Sequence, residues 1–421
     1  MNFPLSIFYK FVLVIFTIFG SLAYVISDVS LIDYRIINLI IILLLFITLF
    51  FIILLVIIDN NFILPGNLNN PLTLIISLIL FMTLVSVILN SIDEWLPTFL
   101  RSMNCIMLFY LTYYFSRAGK LSEKLAHCLI LITLFIALCF GVNEILFGNV
   151  QFLNKAYRIS GNFVNHPLGY ALLLFVTLTY IFSFITFHNT QIMIKLFALI
   201  IFVVSFILFI ETHSRILTVA FFVSIFGTYI LIEQKKLKKI LLVSECFVLL
   251  ILLFYLALET NVLPRIQDLI ITKGTDPSTM IRVTIIKESI ENFVGIYKLI
   301  GIGLGGFNHY FYDITGLLNV AAHNDYLLFF IEGGLIVGVM YLTFQIWVLL
   351  VIKEKIKILK KENFSDNILF LGITSMILFI GIEIFGFLIN HFYYYQSENL
   401  VWIIIGLFFG TYSIKFKNPS S

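Results

Sequence analysis

Charge is the scarcest commodity in this sequence: 12% of its 421 residues are charged against 61% hydrophobic. A soluble globular protein carries about twice that charged fraction, and the mean hydropathy of +1.08 excludes one. Cysteine is scarce too. Cys105, Cys128, Cys139 and Cys246 all fall in apolar stretches without metal-ligand or disulfide spacing, so they exclude a disulfide framework and a cysteine metal site and leave the redox compartment undefined. No small-residue cleavage pattern follows the first apolar run, which therefore reads as a retained helix rather than a removed signal peptide. No internal repeat is visible.

What remains is a series of apolar runs near the roughly 20 residues that carry a helix across a bilayer. Their spacing predicts an all-α polytopic membrane helical bundle of about 12 transmembrane helices, a single integral membrane domain over residues 1–421. The expected spans are Leu5–Ile26, Ile36–Ile58, Leu72–Leu89, Phe99–Ser116, Leu125–Phe147, Leu168–Phe187, Ile192–Ile210, Ile216–Ile232, Ile240–Leu258, a tenth ending at Ile352, Ile368–Ile389 and Leu400–Ile414.

The basic residues orient this bundle, because Lys and Arg accumulate in short cytoplasmic connections. Arg117, Lys120 and Lys124 follow span four, Lys235, Lys236, Lys238 and Lys239 follow span eight, and Lys353 through Lys361 follow span ten. With Lys10, Lys195, Lys415 and Lys417 they share one parity, which predicts both termini in the cytoplasm. Ten basic residues fall on the outer side against this bias: Arg35, Arg101, Lys155, Arg158, Arg215, Arg265, Lys273, Arg282, Lys287 and Lys298.

An extracytoplasmic loop of about 65 residues, 259–323, then lies between spans nine and ten, too long for a mere connector. Within it Asp276-Pro277 suits a helix start. Met280, Ile281, Val283, Ile286, Ile290, Phe293 and Val294 interleave with charged residues as in a helix lying along a membrane surface. Gly301-Ile302-Gly303-Leu304-Gly305-Gly306-Phe307 follows. It lacks the preceding strand and the lysine–hydroxyl pair of a phosphate loop, so packing against helix ends is the simpler expectation.

Span ten sets a length. Counted outward from Lys353 at 1.5 Å per residue, the ~30 Å hydrocarbon core is used up near Glu332. The stretch from His323 to Glu332 is therefore expected to project roughly another 13 Å as a rigid helix, or to lie in a cavity.

Four outer-side residues are candidates. Arg215 in Glu211-Thr212-His213-Ser214-Arg215 could simply snorkel, Arg158 could be surface, Arg282 could be the solvated face of its helix, and His323 could cap one. Together they suit a reaction on a lipid-linked diphosphate. Guanidinium groups grip phosphate oxygens bidentately and stabilise a departing diphosphate, and a histidine can take a proton from a hydroxyl.

Arg158 to Phe163 with His166-Pro167, Thr212 to Arg215, Arg282 to Glu288, Gly301 to Phe307, and His323-Asn324-Asp325-Tyr326-Leu327 with Glu332-Gly333-Gly334 occur in an order that resembles the O-antigen polymerase and O-antigen ligase superfamily, from about Ala156 to Tyr341. The resemblance implies a metal-independent, inverting GT-C-type glycosyltransferase that needs no cofactor and no metal. It would act on undecaprenyl-diphosphate-linked glycan, as donor and acceptor, at the outer face of the bacterial cytoplasmic membrane. It further implies that Arg158, Arg215 and Arg282 hold the donor diphosphate, that His323 serves the acceptor hydroxyl, and that Asn324 and Glu332 stand behind them. Membrane lipids and a chain-length regulator are the implied partners; nucleic acid is not. The form of the segments favours a polymerase of surface polysaccharide (O-antigen or capsule) over a ligase that transfers glycan to lipid A-core. A lipid-linked glycan transporter is the alternative from another class. Glu144, Glu245 and Glu383 lie in or near apolar spans but not in the paired midplane positions that transporters use.

Overall fold

A computed structural model describes residues 5–15, 34–58, 69–147, 151–153, 156–158, 167–233, 277–317, 320, 322–362, 366–388 and 395–417. The expected ninth span, with Glu245 and Cys246, lies outside the described residues, as do Arg265, Lys273 and Asp276 of the long loop and 159–166 ahead of the sixth span. Each other expected span coincides, wholly or in its described part, with a helix. These are α1 (Leu5–Ile15), α2 (Tyr34–Ile58), α3 (Asn69–Leu89), α4 (Ile92–Arg117), α5 (Glu123–Phe147), α6 (Pro167–Phe187), α7 (Ile192–Glu211), α8 (Arg215–Ile232), α12 (Asp325–Lys361), α13 (Asp366–Leu388) and α14 (Tyr395–Lys417). Between α8 and α12 lie three shorter helices, α9 (Pro277–Glu291), α10 (Tyr297–Ile300) and α11 (Phe307–Thr315). Six of the described helices are long and apolar enough to cross a membrane. The chain is a polytopic helical membrane protein. One element was not foreseen: β1 (Gln151–Leu153) and β2 (Ala156–Arg158) form a short antiparallel hairpin ahead of α6.

Burial sorts the helices. In α6 and α13, 78% of the apolar stretch is buried in the protein, against 22% in α7. The first two therefore form the centre of the bundle, and α7 presents Ile192, Met193, Phe197 and Ile200 outward, as lipid-facing residues do. Around α13 pack α6, α8, α12 and α14, and α14 packs along α4. A Cβ placed on Gly406 would stand 2.7 Å from the Phe109 carbonyl, and one on Gly410 would stand 2.7 Å from the Tyr113 carbonyl, so this small-xxx-small spacing sets how near the α4 backbone can come. Polar side chains add cross-links between helices. Tyr170 donates to the Ala137 carbonyl at 2.8 Å, Asn104 to that of Ile42 at 3.1 Å, and the Tyr9 and Thr112 hydroxyls meet at 2.8 Å.

The stretch above Glu332 is helical from Asp325, as expected, but it is not continuous with the rest of the span. Gly334 has φ 73° and ψ −178° inside α12, so the element is two helices joined at a break, not one. Its first part does not stand clear: Leu327, Leu328, Phe329, Ile331 and Glu332 are all buried. Leu327, Leu328 and Ile331 share a small separate core with Ile285, Phe293, Phe307 and Phe311. The break occurs two residues from where bilayer thickness exhausts the span. Helical continuity is dispensable there because neighbouring backbone satisfies the groups it releases.

Candidate functional site

The glycine loop supplies that backbone. The N–H groups of Ile302 and Gly303 donate to the carbonyls of Ile331 and Glu332 at 3.1 and 2.9 Å, the oxygens freed from the helical ladder by the break. On the other side, Ser86 and Asn90 at the end of α3 donate to the carbonyls of Leu304 and Ile302, each at 3.0 Å. Gly301, Gly303 and Gly305 all have φ between 77° and 91°, left-handed backbone that side chains disfavour. A Cβ on Gly301 would strike the Glu332 carbonyl and one on Gly334 the Leu299 carbonyl. The segment is thus packed tightly between two helix ends.

Glu332 completes the seam. It is 2% exposed, and its Oε1 accepts the Phe307 N–H at 3.3 Å. Its Oε2 is buried without a hydrogen-bond partner among the described residues. A buried carboxylate oxygen left unpaired is costly, which makes Glu332 a candidate for more than packing.

His323 precedes α12 with φ 53°. It and His213 (φ 48°) are the non-glycine residues with positive φ among the described residues. Both fall in segments singled out from sequence, and strain of this kind gathers at functional sites. The capping role belongs to the next residue. Asn324 accepts the Leu327 N–H at 2.9 Å and donates to the Phe387 carbonyl of α13 at 2.8 Å. His323 is left half-buried, and burial, then the positive charge of Arg282, holds its pKa below the ordinary 6.5. Arg282, on α9, and His323 are thus near enough to sense each other across 41 positions of sequence. The amphipathic helix expected here is corrected: α9 buries Ile285 and Ser289 and exposes Met280, Ile281, Val283 and Ile290 together with Lys287 and Glu291, without separate apolar and charged faces.

Arg215 opens α8, after a turn in which Thr212 and Ser214 are buried. Arg158 ends β2, paired in register with Gln151. The side chains of these two arginines lie outside the described residues. Of the four principal candidates, the structure brings together Arg282 and His323.

Glu383, at the α12–α13 contact, accepts a 2.7 Å hydrogen bond from Tyr326, three residues beyond His323. It lines a cavity of about 50 Å³ inside the bundle together with Tyr341, Gln345, Glu398 and Trp402. A lone glutamate in an apolar run gives no local sign of such a partner 57 positions away.

Residues 200–342 match the family model described as O-antigen ligase. This stretch holds Arg215, Arg282, His323, Asn324 and Glu332 but not Arg158. No curated protein matches the chain. The match supports the resemblance to the O-antigen ligase and polymerase superfamily over the segment from the middle of α7 to the first half of α12.

Proposed function

We propose that this protein is a glycosyltransferase that polymerises undecaprenyl-diphosphate-linked repeat units at the outer face of the bacterial cytoplasmic membrane, with both termini in the cytoplasm. The observation that carries the reading is a strained, half-buried His323 whose pKa is lowered by burial and by the charge of Arg282, inside the segment that matches the family.

In the proposed step the acceptor hydroxyl oxygen attacks the anomeric carbon of the donor sugar from the face opposite the diphosphate. The new glycosidic bond forms as the bond to the diphosphate breaks, inverting the centre. The hydroxyl proton passes to His323, and undecaprenyl diphosphate leaves with its charge held by Arg158, Arg215 and Arg282. A base must be unprotonated before it can act, and a lowered pKa keeps the imidazole neutral. Donor binding adds the complementary effect: diphosphate beside Arg282 offsets the cation that weakens the base, so His323 gains proton affinity when substrate is present. The residues themselves carry each role, without a metal. Asn324 sets the start of α12 and hence the position of His323, and Glu332 fixes the glycine loop beneath it.

A ligase reading is favoured by one observation, the description of the matching family. Gel profiles of surface glycan separate the two. Loss of the gene should leave single repeats on lipid A-core; a complete absence of attached glycan would instead make the protein a ligase. In vesicles carrying lipid-linked oligosaccharide, wild-type protein should extend the glycan while His323→Ala and Arg215→Ala should not. Lipid moving across the bilayer without extension would make it a transporter.

A further inference from the structure

At the end of the bundle away from His323, three metal-ligating side chains converge that the proposed reaction does not use. Glu123 and His127 occupy the first turns of α5, one helical turn apart, and His188 follows the last residue of α6. Along α13, Phe370 lies against the His127 and His188 rings while the Phe387 carbonyl accepts from Asn324, next to His323; the 17 residues between them at 1.5 Å each cover about 25 Å, so the cluster sits at the far end of α13 from His323.

One ligand atom from each residue lies within 4.8 Å of the other two. Glu123 Oε1 is 2.9 Å from His188 Nε2 and 3.5 Å from His127 Nε2. Two ligand atoms bound tetrahedrally at zinc distances stand roughly 3.3 Å apart, so Glu123 Oε1 lies within a few tenths of an ångström of that spacing from each ring nitrogen. Glu123 Oε1 is also not aligned as a hydrogen-bond acceptor for either ring.

The surroundings match a metal site as well. The Tyr180 hydroxyl lies 3.0 Å from His127 Nδ1. With Nδ1–H donating to that hydroxyl, the Nε2 lone pair is free to bind, the usual support behind a ligating histidine. Phe184 and Phe370 wall the cluster, with Phe184 stacked on the His188 ring at 4.6 Å between centroids. The three ligands are all partly buried, and N and O donors of this kind suit zinc.

We propose that Glu123, His127 and His188 bind one divalent transition-metal ion, zinc by preference, which clasps the start of α5 to the connection between α6 and α7, against Phe370 of α13. The clasp is structural and independent of the glycosyltransferase reading. Zinc content settles it on the purified full-length chain in detergent, after chelator treatment and dialysis against zinc. One equivalent per chain is expected, with a rise in thermal midpoint that EDTA reverses and a visible absorption band of tetrahedral type when cobalt replaces zinc. His188→Ala and Glu123→Gln should weaken binding at least about 100-fold and Tyr180→Phe about tenfold. His309→Ala, which removes the exposed His309–Asp313 pair on α11, should leave the stoichiometry unchanged. His188→Gln serves should the alanine variant fail to fold. Wild-type protein that holds well under one equivalent, or a His188 variant that binds with wild-type affinity, overturns the proposal.

Discussion

Phe307 donates its backbone N–H to the carboxylate of Glu332 at 3.3 Å, and through that bond the first turn of α11 is tied to the residue just before the break in α12. Five further bonds hold the glycine loop, two donated to α12 carbonyls and three shared with the end of α3, where Ser86 and Asn90 donate to the loop and Met82 accepts from it. The candidate site therefore rests on a backbone seam built from three separate stretches of chain.

Glu332 can be tested by separating its shape from its charge. Gln keeps the acceptor for the Phe307 N–H and the size of the side chain, so Glu332→Gln should lower the thermal midpoint less than alanine does. Glu332→Ala leaves buried N–H groups unpaired and should cost about 1–3 kcal/mol, read by thermal unfolding in detergent. A glutamine variant as unstable as the alanine variant would contradict the seam.

The pH response of His323 has a definite sign. Its pKa is lowered by burial first and by Arg282 second, so the neutral form persists to lower pH in the folded protein than in the unfolded chain. The stability linked to that group is complete above the ordinary value of 6.5 and is lost as pH falls toward the folded value. Arg282→Ala should raise the His323 pKa and move the acid limb of the activity profile to higher pH, alongside any loss of turnover. Histidine NMR or a pH–rate series checks it; an acid limb that stays in place would separate the two residues.

Gly334 admits no side chain. Its φ of 73° disfavours L-residues, and a Cβ would strike the Leu299 carbonyl. Gly334→Ala should destabilise by at least about 2 kcal/mol, with protection of the glycine loop in hydrogen exchange falling as well. Wild-type stability in this variant would mean that α12 can run straight.

Asn324 has two jobs that one substitution divides. Asn324→Asp retains the acceptor that caps α12 but loses the donor to the Phe387 carbonyl. We expect a loss of about 1 kcal/mol and reduced turnover as His323 shifts with the loosened helix start. Asn324→Ala loses both bonds and should cost about twice as much.

The helices were legible from composition. Apolar runs of bilayer length leave the backbone no way to satisfy its polar groups except as helices, and α2, α5, α6 and α13 fall where those runs predicted. The fold class and the family resemblance hold, the latter over residues 200–342. The glycine spacing at 301, 303 and 305 was visible, and its reason, three left-handed residues, came from the coordinates. The β1–β2 hairpin was missed because three-residue strands are too short to show an alternating pattern.

The sequence alone decided where this chain is helical and which polar residues stand out against its apolar runs, because hydrophobicity and charge are properties of each position. Three-dimensional packing alone decided that α12 breaks at Gly334, that Arg282 lies in the field of His323, that Tyr326 holds Glu383, and that His188 meets Glu123. Each of these joins residues on separate elements, or depends on what a neighbouring segment leaves room for, and no local pattern encodes such a meeting.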